Sequence, residues 1–106
     1  MKEFIQLFTT TEKREDAEKL AEILVEKRLA GCVQVIGPIQ SSYRWKNKRE
    51  TVQEWMCVIK SEKRLYSELE KTLKQNHPYE IPEITAVPIV AGSREYLAWL
   101  DKELKK

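Results

Sequence analysis

Apolar residues follow two different periods along the chain, and these predict strands and helices in turn. Short β-favouring apolar runs occur at residues 4–10, 32–45 with an interruption, 50–60 and 84–90, as expected of strands. Leucines and alanines spaced three or four apart fill the stretches between them at 12–30, 61–76 and 93–104, which is typical of helices with one buried face. The predicted order is β-α-β-β-α-β followed by a C-terminal helix.

This order predicts an α+β fold with the ferredoxin-like arrangement, an antiparallel sheet with two helices on one face. The third strand has Trp55, Cys57 and Ile59 on one side and Met56 and Val58 on the other. Apolar residues on both faces fit a central strand or a strand with a second subunit against its outer face. The uncovered face carries too much apolar and aromatic surface to be left bare, which favours oligomerisation.

Small polar residues, glycine and proline predict where these elements begin and end. Gly31 is expected to end the first helix in the left-handed conformation. Gly37-Pro38 predicts a bulge or bend in the second strand, Pro88 predicts an edge or bulge position in the fourth, and Asn47 is expected at positive φ in the hairpin turn. The residues expected to cap the three helices are Thr10 or Thr11, Ser61 and Ser93.

Composition places the chain among single-domain proteins with a mixed surface. The 106 residues, 42% of them hydrophobic, predict one domain over 1–106. Nineteen basic and 17 acidic residues give a net charge of +2, which does not indicate nucleic-acid binding. No apolar run approaches a membrane span and no signal peptide is recognisable, so we expect a cytoplasmic protein without a membrane partner.

Motifs of known enzyme classes do not occur in the sequence. It has no glycine-rich phosphate loop, no HExxH and no GxSxG, so we expect no catalytic activity. Cys32 and Cys57 are too far apart for a CxxC site, and both lie in strand-like runs, which predicts buried free thiols rather than nucleophiles paired with His77. The aromatic and basic residues at 43–49 could contact single-stranded RNA, but a subunit contact fits them better.

The stretch of the chain richest in candidate chemistry is residues 76–84, which join the second helix to the fourth strand. It contains His77, the only histidine, together with Tyr79, Glu80, Glu83 and two prolines. Prolines restrict the backbone at and before their own positions, so donors and acceptors are held on a stiff connector. The alternative is that the prolines end a helix and the carboxylates are solvated.

Three runs of this sequence resemble motifs of the CutA family of divalent-cation tolerance proteins. LAGCV at 29–33 followed by SSYRW at 41–45 is similar to one family signature, HPYEIPEI at 77–84 to its most specific motif, and EYLAWL at 95–100 to its closing helix. The resemblance implies a ferredoxin-like protomer with a long bent hairpin, assembled as a homotrimer similar to the PII signalling proteins. It also implies a non-enzymatic protein whose shared residues gather at intersubunit clefts. Carried over to this sequence, these residues are Cys32, Tyr43, Trp45, Lys60, His77, Tyr79, Glu80 and Glu83.

Copper binding in the CutA family is associated with a first-strand cysteine and two adjacent histidines, and this sequence departs from that pattern. Phe8 or Thr9 stands where the cysteine would be, and Asn76 replaces the first histidine. A tight Cu(II) or Zn(II) site needs about three or four ligands. His77 would therefore need Glu80 or Glu83, or a second subunit, to complete the site.

Two hypotheses about function follow from the sequence and the resemblance. In the first, the clefts of a trimer bind a divalent metal ion, held by His77 and Glu80, or a small effector, with Tyr79 hydrogen-bonding it and Lys60 holding its negative charge. In the second, the trimer is a structural or partner-docking protein without a ligand, and the motif residues only lock its interface.

Overall fold

The computed structural model describes residues 2–106, which form one four-stranded antiparallel sheet and three α-helices. The strands lie in the order β2-β3-β1-β4, with β3 and β1 in the centre. This confirms the α+β class, the predicted order of elements and the central position of the third strand. In chain order the elements are β1 (Phe4–Thr11), α1 (Arg14–Glu26), β2 (Cys32–Trp45), β3 (Lys48–Glu62), a 3-10 turn (Lys63–Leu65), α2 (Tyr66–Asn76), β4 (Thr85–Pro88) and α3 (Arg94–Glu103).

The hydrophobic core lies between one face of the sheet and the helices. Leu7 of β1 is directly opposite Ile59 of β3, and both are fully buried. They belong to one cluster with leucines from all three helices, and burial of each such side chain contributes roughly 1.5–3 kcal/mol. The leucines contributed by the helices are Leu20, Leu24, Leu69, Leu73 and Leu100, and Leu104 directly after α3 joins them.

The other face of the sheet is apolar and only partly covered. Phe8 of β1 is opposite Val58 of β3, and Ile36 of β2 is opposite Met56. Ile36 stays 50% exposed and Val87 of β4 stays 45% exposed. A single chain therefore leaves a hydrophobic surface next to its central strands, as the alternation along the third strand predicts.

The left-handed residue that follows helix α1 is Arg28 rather than Gly31, so the prediction for Gly31 is wrong. Arg28 has a φ of 59°. Its N–H donates to the Val25 carbonyl and the Leu29 N–H donates to the Leu24 carbonyl, each at 3.0 Å. These two bonds form a Schellman motif, which here places an arginine in the conformation that usually favours glycine.

Gly31 is required instead by the close approach of α3. A Cβ built at this position would lie 2.5 Å from Cδ1 of Leu100, and Leu100 is fully buried. The glycine has no positive φ. Its role is therefore steric, because a side chain here would force Leu100 to change conformation or α3 to move away from the start of β2.

We expect Gly31→Ala to lower the free energy of unfolding by about 1–3 kcal/mol, because overpacking a filled core is destabilising. The Leu100→Ala change removes the clashing methyl group but leaves a cavity. In the double variant Gly31→Ala/Leu100→Ala, the two losses are expected to be less than additive. Urea unfolding of the four proteins measures this coupling, and strictly additive losses would contradict the steric explanation.

Two of the three predicted helix caps are wrong, and one is confirmed. Helix α1 begins after Lys13, and the Thr11 hydroxyl donates to the Lys13 carbonyl at 2.8 Å instead of accepting from the helix. Ser61 is a fully buried β3 residue whose hydroxyl donates to the Leu29 carbonyl at 2.6 Å. Ser93 does cap α3, since its Oγ accepts from the Tyr96 N–H at 3.2 Å.

The long β2–β3 hairpin has the turn and the irregularity that the sequence predicts. Lys46 and Asn47 both have positive φ, 51° and 65°, as in the two-residue turns that fit the twist of paired strands. The pairing register shifts between Ile36 and Ile39, around Gly37-Pro38. The strand β4 is shorter than predicted and lies at the sheet edge, where Pro88 needs no N–H for the ladder.

Candidate functional site

A cleft of about 840 Å³ lies between the far half of the β2–β3 hairpin, the end of β1 and the segment after α2. Its volume is within the range of sites that hold small molecules. The predicted residues Tyr43, Trp45, Tyr79, Glu80 and Glu83 all line it. The other lining residues, which the sequence did not identify as site residues, are Thr10, Glu12, Ser41, Ser42, Val52, Glu54, Pro78, Ile81 and Pro82.

Glu54 is the carboxylate most deeply placed in this cleft. Its side chain is only 4% exposed, and its Oε2 accepts a hydrogen bond of 2.6 Å from the Tyr79 hydroxyl. Burial, and secondarily the Glu54 carboxylate, raise the pKa of Tyr79, so the phenol stays a donor. The available sequence signal was an acidic residue inside the apolar β3 run, where a carboxylate needs a partner.

His77 is held by hydrogen bonds on both ring nitrogens. Nδ1 accepts from the Tyr79 backbone N–H at 3.1 Å, so the proton of the neutral ring belongs on Nε2, which lies 3.0 Å from the Thr9 hydroxyl. Thr9 is fully buried, and burial lowers the pKa of His77. Metal coordination by His77 would first require one of these hydrogen bonds to break.

The hydrogen bonds of His77 and Tyr79 attach the connector at residues 76–84 to the end of the sheet. By strand alternation, Thr9 shares the helix-covered face with Leu7, whereas Glu54 shares the open face with Met56 and Val58. His77 is therefore tied to one face and Tyr79 to the other. The His77 and Tyr79 rings are also in contact, with centroids 4.9 Å apart.

The charged side chains among the described residues that line the cleft are all acidic. Glu12, Glu54, Glu80 and Glu83 line it, and none of the described residues in its lining is Lys, Arg or His. Its Trp45 ring already has a cation nearby, because the Lys46 ammonium lies over the ring 5.7 Å from its centroid. Carboxylates and aromatic faces in one cavity favour a positively charged ligand.

Two of the predicted site residues lie elsewhere in the chain. Cys32 and Lys60 are paired across β2 and β3, and Lys60 is six residues beyond Glu54, a distance of about 20 Å along the strand. The Lys60 ammonium donates to Oε1 of Gln34, and Cys32 neighbours Tyr96 of α3. Within one chain, Lys60 is therefore too far away to neutralise a ligand in the cleft.

A complete metal site is not assembled within residues 2–106, since no three Asp, Glu, His or Cys side chains in that range come together closely enough. Both cysteines are free, as predicted, but only Cys57 is fully buried, whereas Cys32 is half-buried. The Cys57 thiol donates to the Ala17 carbonyl at 3.4 Å, and burial raises its pKa to about 11. Such a thiol is not a nucleophile at neutral pH.

Comparison with known proteins relates this chain and its fold to one family. The family model described as "CutA1 divalent ion tolerance protein" matches residues 5–103. "Divalent-cation tolerance protein CutA" of Thermus thermophilus is 41% identical over 91 residues, 86% of this chain and 88% of that protein. "Protein CutA, chloroplastic" of Arabidopsis thaliana is 38% identical over 96 residues, 91% of this chain but only 53% of that protein's length.

A solved structure agrees with this relationship. The crystal structure of CutA1 from Oryza sativa superimposes with a TM-score of 0.95 at 33% sequence identity, covering 98% of this chain and 95% of that one. Among residues 2–106, none of the helices has the combined length and apolarity that crossing a bilayer requires.

Proposed function

The chain belongs to the CutA1 divalent ion tolerance family, and from this premise we propose that it is a non-enzymatic trimer whose clefts bind a divalent metal ion of the copper type. The observation that carries the proposal is the cleft of about 840 Å³ with four glutamates and, among its described lining residues, no basic side chain. Such a cavity attracts cations by its summed charge and repels anions. An anionic effector held by Lys60 fits this surface less well.

The ligands of the metal ion would be carboxylates. Glu80 and Glu83 lie at the exposed rim of the cleft and Glu54 lies at its buried wall. Because one chain does not bring three ligands together, the proposed site is completed by a second subunit. His77 stays a candidate ligand only if it gives up its hydrogen bond to Thr9 or to Tyr79; in the arrangement described it positions the connector.

The trimer that we propose is built from ferredoxin-like protomers, arranged like the PII proteins. Its support is the apolar open face of the sheet, where Ile36 and Val87 are about half exposed next to the buried Val58. Exposed apolar surface of this kind is typically covered by another subunit. Contact between subunits would also bring Cys32 and Lys60 of one chain towards a neighbour's cleft.

We propose a cytoplasmic location and a single domain over the whole chain.

A second candidate function is a structural or partner-docking trimer without a ligand. It is favoured by the bonding of His77 and Tyr79, because both ring nitrogens of His77 and the Tyr79 hydroxyl are already engaged in hydrogen bonds. On this view the motif stiffens the connector and the interface, and the glutamates at the rim are solvated.

Titration calorimetry with metal-stripped protein tests the first proposal. Cu(II) and Zn(II) are expected to bind in a fixed ratio to a particle of three 12.5 kDa chains, as weighed by light scattering. The double variant Glu80→Gln/Glu83→Gln should lose most of this affinity. Glu22→Gln/Glu26→Gln, which makes the same charge change on exposed positions of α1, should not. Equal affinity in both variants, or no heat with the unaltered protein, would favour the ligand-free trimer.

A further inference from the structure

Glu62 is a buried acid that has no role in the cleft or the core. It is the last residue of β3 and is only 2% exposed. Its Oε1 accepts from Nε of Arg64 at 3.0 Å, but its Oε2 is buried without a conventional hydrogen-bond donor. Unpaired polar atoms of this kind are rare in native structures, and an ionised carboxylate is the most costly case.

The remaining neighbour of Glu62 is a second acid from the C-terminal helix. The side chain of Asp101 is within hydrogen-bonding reach of Glu62. Asp101 is also held from the solvent side, where the Lys2 ammonium donates to its Oδ2 at 2.7 Å. Two ionised carboxylates have only acceptor oxygens, so a hydrogen bond between them requires that one carboxyl group keeps its proton.

The surroundings decide which of the two acids is protonated. Glu62 is enclosed by protein, and burial, followed by its contact with Asp101, raises its pKa, while the Arg64 guanidinium opposes part of this rise. Asp101 is partly exposed, and its hydrogen bond with Glu62, followed by that with Lys2, lowers its pKa to about 2. The charged groups that face the pair are Lys2 and Glu3 before β1, Lys63 and Arg64 after β3, and Lys106 at the C-terminus.

We propose that Glu62 is protonated at neutral pH and donates through Oε2 to the Asp101 carboxylate, which fastens α3 to the end of β3 as a latch that opens at high pH. The proposal explains the orphaned oxygen without a further ligand. It does not depend on the cleft, which lies at the other end of the hairpin.

The contact between Glu62 and Asp101 holds α3 in place, and the inner face of this helix completes the core. Leu100 is fully buried and neighbours Asp101 in the sequence, and the other links of α3 to the body include the exposed bonds from the Arg28 guanidinium to the carbonyls of Lys102 and Glu103. A native pKa raised above the usual 4.5 means that the folded state binds more protons. The contribution of Glu62 is thus complete below about pH 4.5 and is lost as pH rises through its native pKa.

Infrared spectroscopy of the full chain tests the protonation directly. At neutral pH we expect the C=O stretch of one protonated carboxylic acid, which disappears on titration to high pH. It should be absent in Glu62→Gln and present in Glu3→Gln, an exposed acid beside the same surface. If the spectrum of the unaltered protein contains only carboxylate bands at neutral pH, the proposal is wrong, whether a cation or a water satisfies Oε2.

Hydrogen exchange of the α3 amides tests the latch itself. After correction for intrinsic exchange, protection of α3 relative to α2 should fall as the pH rises above about 4.5, by up to about tenfold per pH unit, and should level off once Glu62 is ionised. In Glu62→Gln the amide keeps a donor to Asp101 but does not titrate, so protection should be independent of pH. Equal pH dependence in the two proteins would overturn the latch.

Discussion

Replacing Glu54 by glutamine is expected to weaken divalent-metal binding roughly ten- to a hundredfold, the loss typical when a group that supports a metal site is removed. Glutamine has the same shape and still offers an oxygen to the Tyr79 hydroxyl, which now donates to Oε2 at 2.6 Å. The variant therefore removes one negative charge from the buried wall of the cleft and keeps the hydrogen bond between Tyr79 and residue 54. Stability should be unchanged or slightly higher, because a buried charge is lost.

Titration calorimetry of Glu54→Gln with Cu(II) and Zn(II) measures this loss. The matched control is Glu50→Gln, which makes the same change four residues earlier on β3, outside the residues lining the cleft. Wild-type affinity in the control with weakened affinity in Glu54→Gln would locate the metal at the buried wall. If Glu54→Gln binds metal as tightly as the unaltered protein, the buried wall of the cleft is not part of the metal site.

Replacing His77 by alanine is expected to cost about 2 kcal/mol of folding stability, which lowers Tm by roughly 10 °C in a chain of this size. The change leaves the fully buried Thr9 hydroxyl and the Tyr79 N–H without their partners. Thermal unfolding measures the effect. Gln75→Ala, an exposed change two residues earlier, should stay within about 0.5 kcal/mol.

The pH dependence of stability provides a separate test of the same histidine. Burial lowers the native pKa of His77 below its usual 6.5, so the unfolded state binds a proton first as the pH falls. The stabilising contribution of neutral His77 is therefore complete above about pH 6.5 and declines below it. His77→Ala should lose this part of the pH profile. An unchanged profile, or a variant as stable as the unaltered protein but unable to bind metal, would make His77 a ligand rather than a structural residue.

Most of the architecture was predictable because it depends on periodicity over ten or more residues. The alternation of Trp55 to Ile59 and the leucine spacing of the helices are repeated signals, and a single misleading residue does not change them. Helix ends depend on one or two residues, and there the predictions for Gly31 and Ser61 fail. Both residues are used for tertiary contacts, with Leu100 and with the Leu29 carbonyl, which local preferences do not include.

The candidate site was predictable only in part, for a related reason. The connector at 76–84 was conspicuous because its rare residue types are adjacent in the sequence. Glu54 was not conspicuous, because a single acid in a strand usually faces solvent. Its burial depends on a hydrogen bond from Tyr79, 25 residues later. The family resemblance grouped Lys60 with the cleft residues, yet the extended strand places it about 20 Å away.

The sequence by itself determined the order of strands and helices, the hairpin turn and the family resemblance, since each depends on adjacent or regularly spaced residues. It limited Pro88 of β4 to an edge or a bulge, and the structure places β4 at the edge. Only the tertiary structure decided that Tyr79 meets Glu54, that His77 has both nitrogens occupied and that Glu62 meets Asp101. These contacts join residues far apart in the chain. Whether such groups carry charge is set by burial and by partners, which exist only after the chain has folded.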